Sequence, residues 1–152
     1  MQYIITFLGW TLLIYWAHRL AHVVPVVRDM HSDHHEQVSS STYNGMHWTN
    51  IFLYFDSWQS TADQWMTEII PTIAFCYVTD QWWLAVAYYI WAAFIQEGIE
   101  HNPRFNIYPV LTSGRWHLLH HQDHSKNFGV FLPIWDMLFG TFEPIHNDRN
   151  QS

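Results

Sequence analysis

Twelve histidines stand in a chain of 152 residues, and most fall in three groups whose spacing matters more than their number. The groups are His18-Arg-Leu-Ala-His22, His31-Ser-Asp-His34-His35 and His117-Leu-Leu-His120-His121. On a helix, residues three and four apart share a face. His18 can therefore point with His22, His31 with His34 and His35, and His117 with His120 and His121. Neutral imidazoles gathered in this way suit iron, zinc, copper or nickel. A single tetrahedral zinc needs only four ligands, so three such faces point to two metals sharing a site. A titrating row of interfacial histidines is the competing reading, but a pH sensor has no need of a repeated i, i+3, i+4 pattern.

His101, in Gln96-Glu97-Gly98-Ile99-Glu100-His101-Asn102, sits where an apolar hairpin returns to the surface that carries the other groups, and it is read as a further ligand. Glu97 lies one turn before it on the same face. Three roles stay open for it: a ligand, a carboxylate that holds an imidazole tautomer, or a solvated acid. His47, His124 and His146 lack partners at ligand spacing and are read as non-ligands, with His124 the nearest to a group.

These side chains need elements to position them, and the composition suggests helices at or in a bilayer. Aromatic residues make up 18% of the chain and charged ones only 12%, and Trp and Tyr favour the membrane interface. The mean hydropathy of -0.10 is pulled down by the histidines and by rings scored as polar. Met1 to Ala17 carries no charged side chain; as a helix it reaches about 25 Å, against a hydrocarbon core of ~30 Å. Extension through His18 and Arg19 would bring their polar heads to the interface, and Pro25 breaks or kinks whatever helix carries His22. In the polar stretch from Arg28 to Asn50, Ser39-Ser40-Ser41 reads as a loop. Ile51 to Trp58, interrupted by Asp56, reads as interfacial. Ile69 to Thr79 and Gln81 to Gln96 read as a helical hairpin turning at Asp80, its arms lengthened by flanking residues from Trp65 and up to Ile99. The aromatic segment Val130 to Phe142 would lie against the membrane. The hairpin rings Trp82, Trp83, Tyr88, Tyr89 and Trp91 are read as lipid-facing or interface anchors, with an apolar channel as the alternative.

The expected fold is thus all-α and integral to a membrane, with one N-terminal span plus a helical hairpin and a cytosolic histidine-rich helical cap. It forms a single domain, 1–152. Arg19, Arg28, Arg104, Arg115, Lys126 and Arg149 all fall on one side of this topology, and the positive-inside rule makes that side cytosolic. The paired apolar runs disfavour a soluble bundle. A formal charge of -7 with scattered basic residues excludes a nucleic-acid role. Cys76, the single cysteine, excludes an intrachain disulfide or a cysteine-held cluster and is read as a buried, inert thiol. The N-terminal run lacks the basic start and small-residue cleavage site of a secretory signal. No repeat or linker divides the chain.

Taken in order, HRLAH, eight residues, HSDHH, then HLLHH followed by Asn127-Phe128-Gly129 and WDMLFGTF (Trp135 to Phe142) resembles the fatty acid hydroxylase/sterol desaturase superfamily, from His18 to Phe142. The resemblance implies a helical membrane fold whose cytosolic cap holds two iron ions, with zinc as a substitute. It implies His18, His22, His31, His34, His35, His117, His120 and His121 as ligands, and His101 as a further one. Some members carry a second histidine four residues before that last ligand. Glu97 stands there in this chain, which leaves either a mixed ligand set or one ligand fewer. Trp135-Asp136 and Gly140-Thr141 match the closing signature and imply structural support; no catalytic group is expected beyond the metal ligands. The activity implied is O2-dependent hydroxylation or desaturation of a C–H bond in a fatty-acyl, sterol or similar lipid, in a bacterial inner membrane or the endoplasmic reticulum. Carotenoid hydroxylases share the histidine boxes, although the WDMLFGTF ending favours the fatty acid hydroxylase/sterol desaturase branch. A non-catalytic metal-binding subunit of a membrane complex is the third reading. Such chemistry needs two electrons per turnover, and the sequence has no GxGxxG, P-loop, CxxCH or cysteine cluster. A separate donor is therefore expected: a ferredoxin, cytochrome b5 or flavoprotein. Many relatives carry additional spanning helices. A shorter chain would share its substrate cavity with a neighbouring protomer in a homo-oligomer, or open it to lipid.

Overall fold

A long uncharged run of aliphatic and aromatic residues has no breaker until Pro25, and it folds as one helix, α1 (Gln2–Ala21). The computed structural model describes residues 1–39, 46–105 and 111–144, and every regular element among them is helical. At ~1.5 Å per residue, α1 extends roughly 30 Å. Among the described residues it is the one helix long and apolar enough to cross a membrane. It runs past Ala17 to include His18 and Arg19, and His22 caps it while still in the right-handed helical region. Pro25 then opens α2 (Pro25–Ser39) rather than interrupting α1. At a first helical position the missing proline N–H costs no hydrogen bond. Ser39 is thus the last residue of a helix, while Ser40, Ser41, His146 and Arg149 lie outside the described residues.

The second half of the bundle begins with a 3-10 turn at Trp48–Phe52, whose last two residues, Ile51 and Phe52, open the stretch read as interfacial. Helix α3 (Trp58–Gln64) follows, and the Ser57 hydroxyl caps it by accepting from the Ser60 N–H at 3.0 Å. A π-helical turn, Trp65–Ile69, carries the chain without a break into α4 (Ile70–Thr79). Asp80 adopts a left-handed conformation, φ 54°, and reverses the chain into α5 (Trp83–Phe94). The turn falls at the charged residue that separates the two apolar runs. The α-helical arms are 10 and 12 residues long, each shorter than the ~20 that a span requires, although the π turn and α3 prolong the first arm back to Trp58. Short helices α6 (Gln96–Ile99), α7 (Arg115–Gln122) and α8 (Ile134–Phe139) complete the described elements.

The apolar core lies between α1, α4 and α5. It contains Trp10, Ile14, Cys76, Leu84, Tyr88 and Phe131, and the Trp10 indole N–H donates to Thr72 Oγ1 at 2.9 Å. Trp82, Trp83 and Tyr89 are exposed, as anchors would be, but Tyr88 is buried. Its place follows from helical phase: Leu84, Tyr88 and Ala92 recur at intervals of four and turn inward together. The buried phenol oxygen accepts from Gln64 Nε2 at 2.8 Å. On α8, Ile134, Met137, Leu138 and Phe139 turn outward.

Candidate metal centre

The end of α1, the middle of α2, the residue after α6 and the whole of α7 bring their imidazoles together. The nine histidines expected to ligate form two groups. His18, His22, His31, His35 and His120 make one; His34, His101, His117 and His121 make the other. Within each, one ring nitrogen per residue lies within 4.8 Å of all the others. The groups adjoin: the rings of His35 and His121 stack with centroids 4.1 Å apart. Each HxxHH box is divided between them. On α2 the i, i+4 pair His31/His35 joins the five-imidazole group and His34 the other. On α7 the pair His117/His121 joins the four-imidazole group and His120 crosses over.

Three of the five outward nitrogens in the five-imidazole group, those of His18, His31 and His120, are fixed by partners. His18 Nδ1 lies 2.8 Å from the Phe128 carbonyl oxygen, and His120 Nδ1 lies 2.7 Å from that of Lys126. A carbonyl oxygen only accepts, so both Nδ1 atoms carry the proton and both Nε2 atoms present lone pairs inward. The inward atoms crowd together: His18 and His31 Nε2 are 3.2 Å apart, His22 and His120 3.0 Å, His22 and His31 3.1 Å, and His31 and His35 3.0 Å. His31 Nδ1 is likewise held, by Asp63, so His18 and His31 oppose lone pairs at 3.2 Å; these repel one another, and a cation at their focus removes the conflict. Two nitrogens at right angles about a metal, each bonded at ~2.1 Å, would stand about 3.0 Å apart. The donor set therefore fits a transition-metal ion.

Electrostatics favour the same outcome. Burial, reinforced by neighbouring imidazoles, pulls His31 down to about 3 and His34 to about 4. It also holds His35, His101, His117, His120 and His121 below the ordinary histidine range. All are neutral at pH 7, the form that binds metal.

Two carboxylates stand behind the rings. Asp63 Oδ2 accepts from His31 Nδ1 at 2.8 Å, and Glu100 Oε1 lies 3.9 Å from His117 Nδ1. Burial lifts Asp63 to about 6 and Glu100 well above the usual carboxylate range. A carboxylate hydrogen-bonded to a ligating imidazole fixes its orientation and raises its basicity. Sequence reasoning singled out Glu97 for this region and passed over Asp63 and Glu100. Glu97 is buried and belongs to neither imidazole group; it lines a small cavity of about 20 Å³ with Asp63, Glu68 and Glu100. Asp63 comes from α3, 32 residues away from His31, and no local spacing marks it.

The closing signature supports the five-imidazole group from outside. Asp136, fully buried on α8, accepts from the Phe128 N–H and the Thr141 hydroxyl through Oδ1, and from the Gly129 N–H through Oδ2, each at 2.8 Å. The Tyr15 and Thr141 hydroxyls are 2.9 Å apart. This web holds the Lys126–Gly129 turn, whose carbonyls orient His18 and His120. Gly129 is required there, since a Cβ would come within 2.6 Å of Asp136 Oδ2 and of the Leu132 carbonyl oxygen.

A larger cavity, about 820 Å³, reaches the five-imidazole group through His22, His31 and His35, and no member of the other group lines it. His124 stands at this opening, its ring 4.3 Å from that of His35 and outside both groups. His47 caps the 3-10 turn, far along the chain from any box.

Comparison with known proteins bears on the family. Residues 3–141 match the family model for fatty acid hydroxylase. The chain is 27% identical to a Delta(7)-sterol 5(6)-desaturase of Aspergillus fumigatus over 130 residues, 85% of this chain and 34% of that protein. It is 30% identical to an alkylglycerol monooxygenase of Xenopus tropicalis over 148 residues, 92% of this chain and 30% of that one. With human lathosterol oxidase the identity is 27% over 143 residues, 92% and 44% of the two chains. The chain thus spans between 30% and 44% of the length of these relatives. No solved structure matches it.

Proposed function

The chain belongs to the fatty acid hydroxylase family, and from that premise we propose that it is a membrane-bound di-iron oxidoreductase that hydroxylates or desaturates a C–H bond of a lipid. The observation that carries this reading is the convergence of nine neutral imidazoles into two adjoining groups. His18, His22, His31, His35 and His120 would hold one ion, and His34, His101, His117 and His121 the other. Bound there, the iron pair supplies the O2 activation that attack on an unactivated C–H bond requires.

The chain's own residues do the rest. Asp63 and the Phe128 and Lys126 carbonyls keep the ring protons of His31, His18 and His120 on Nδ1, so that Nε2 is free to bind. Asp136 anchors the turn that carries two of these acceptors. Burial keeps the imidazoles neutral. The opening at His22, His31 and His35 gives an external ligand a path to the five-imidazole group. Helix α1 would anchor the protein in the bilayer with both groups at its cytosolic end, in a bacterial inner membrane or the endoplasmic reticulum. Electrons would come from a separate ferredoxin, cytochrome b5 or flavoprotein, and a homo-oligomer would share the substrate cavity between neighbouring protomers.

Iron analysis and lipid profiling test this directly. Purified protein is expected to carry two irons per chain and to consume O2 when supplied with a reductase. Cells expressing it should accumulate a new hydroxylated or unsaturated lipid that is absent with His120→Ala. Protein purified without iron or zinc, together with an unchanged lipid and carotenoid profile, would overturn the proposal.

A further inference from the structure

The opening over the five-imidazole group has a chemistry that metal binding does not use. Two guanidinium groups, Arg19 and Arg28, line it, with one carboxylate, Asp123. The Asp123 carboxylate is engaged locally, accepting from the Ser125 N–H at 2.9 Å and its hydroxyl at 2.6 Å. Arg28 lies 3.7 Å from Asp29, but the two side chains are 55% and 75% exposed, and such a solvated pair is worth little. Arg19 is half-buried: Nη1 donates to the Tyr15 hydroxyl at 3.2 Å, and the guanidinium carbon stands 5.1 Å from the Trp16 ring and 5.6 Å from that of Phe128. Among the described residues no carboxylate lies within ion-pairing distance of it. A fixed guanidinium that feels buried Asp136 only from beyond ion-pairing distance and faces a cavity is suited to a carboxylate or phosphate, which it grips with paired N–H donors.

Beside this polar opening runs an apolar lip. Leu20, Val23, Val24 and Val26, at the junction of α1 and α2, are all exposed, and Val23 also lines the cavity. The junction follows the one helix apolar enough to span a bilayer, so the lip would lie at the membrane boundary. Phe128 joins the two features to the metal centre. The ring that Arg19 covers has its centroid 5.4 Å from that of His22 and 5.3 Å from that of His120.

We propose that this opening takes an anionic amphiphile, its carboxylate or phosphate held by Arg19 and Arg28 and its chain laid over Leu20, Val23, Val24 and Val26, which presents the carbons next to the head group to the five-imidazole group. The reading rests on the proposed function only for what those carbons meet; recognition of the anion stands by itself.

Equilibrium binding of three C16 probes to the iron-loaded full chain in phosphatidylcholine nanodiscs, with empty discs as the blank, tests it. Hexadecanoate, hexadecyl phosphate or both should bind about tenfold tighter than hexadecanol, the value of one charge-assisted hydrogen bond. The anion that retains the preference tells a carboxylate site from a phosphate site. Arg28→Gln, at an exposed position, should bring the preference close to unity while iron content and thermal midpoint stay as in the wild type; Arg19→Gln should do the same to binding. Equal affinity for hexadecanol and both anions, or a preference unchanged in Arg28→Gln, overturns the assignment. A protein that holds two irons and shows no preference sinks this inference alone. One that prefers anions but binds no iron sinks the functional reading and leaves this one standing.

Discussion

The two imidazole groups touch, yet they differ in what reaches them. The five-imidazole group opens through His22, His31 and His35 onto a cavity of about 820 Å³ lined by Arg19 and Arg28. The four-imidazole group has no member on that cavity. Members of both groups, His18 and His31 from one and His34 and His117 from the other, border the small cavity of about 20 Å³ that holds Asp63, Glu68, Glu97 and Glu100, with room for about one water. Neutral imidazoles leave the charge of a bound ion uncompensated, and in a low-dielectric interior such charge needs a partner. The buried carboxylates supply it from the small cavity, Asp63 to the five-imidazole group through His31 and Glu100 beside His117 of the other, which leaves the large opening free to receive an external anion. What separates the two is therefore access: both groups border the buried carboxylates, and one of them also borders the large opening.

Substitution of a ligand should break this symmetry most severely. His101→Ala leaves three imidazoles in the closed group, and His22→Ala leaves four in the open one. Four suffice for a tetrahedral ion and three do not fill its shell. His101→Ala is expected to purify with one metal per chain and no activity, and His22→Ala with both metals held more weakly. Metal analysis after dialysis checks this; loss of metal from His22→Ala as complete as from His101→Ala would show that the fifth imidazole confers no reserve. In the wild type, a chelator should strip the open group first, giving two phases of release in place of one.

Acid tests what the groups share. The folded values of about 3 for His31 and about 4 for His34 lie below the ordinary 6.5, so below pH 6.5 the unfolded chain binds more protons and stability falls with falling pH. Asp63 and Asp136, each raised from 3.8 to about 6, and Glu100, lifted well above the usual carboxylate range, work in the opposite sense, but the lowered imidazoles outnumber them. The thermal midpoint of metal-free protein should drop as pH falls from 6.5 to 4. A midpoint flat across that range would mean that the rings are not buried as described. The next effect in size belongs to Asp63→Asn, which keeps the shape of the side chain and removes its charge. Loss of such a carboxylate behind a ligating imidazole typically costs about 10- to 100-fold in metal affinity. The cost should fall on the open group, through His31, and be visible by metal competition titration. Equal weakening of both groups would contradict the assignment of Asp63 to one.

The sequence made some of this visible and hid the rest for a physical reason. Helical spacing is local, so the i, i+3, i+4 patterns sufficed to nominate eight of the nine histidines that the fold assembles, His101 was marked instead by its place after the hairpin, and the charge at Asp80 marked the turn between the apolar runs. How each HxxHH box divides was not legible. Residues at i+3 and i+4 differ by ~100° around the helix axis, and which side faces which group depends on how α2 and α7 pack. Asp63 was missed because it reaches His31 across 32 residues from a helix with no motif of its own. Tyr88, read with its exposed neighbours as an anchor, turned inward by helical phase. The arginine-lined opening joins residues of α1, α2 and the segment after α7, a juxtaposition that no linear pattern contains.

The smallest expected effect probes the support of the open group from the far side. Asp136 touches no imidazole. It accepts from the Phe128 and Gly129 N–H groups, and that turn offers the Lys126 and Phe128 carbonyls to His120 and His18. Asp136→Asn puts an NH2 where one of two accepting oxygens stood, so at least one donor loses its partner, at a cost of about 1 kcal/mol. Because the turn contacts His18 and His120 and neither His101 nor His117, the weakening should appear as faster chelator release in the first phase only, with the second phase at its wild-type rate. Asp63→Asn acts on the same group through a different ring, and the double variant should slow neither phase. Acceleration of both phases by Asp136→Asn would mean that the turn stabilises the bundle as a whole, and that the two groups share one scaffold instead of each having its own.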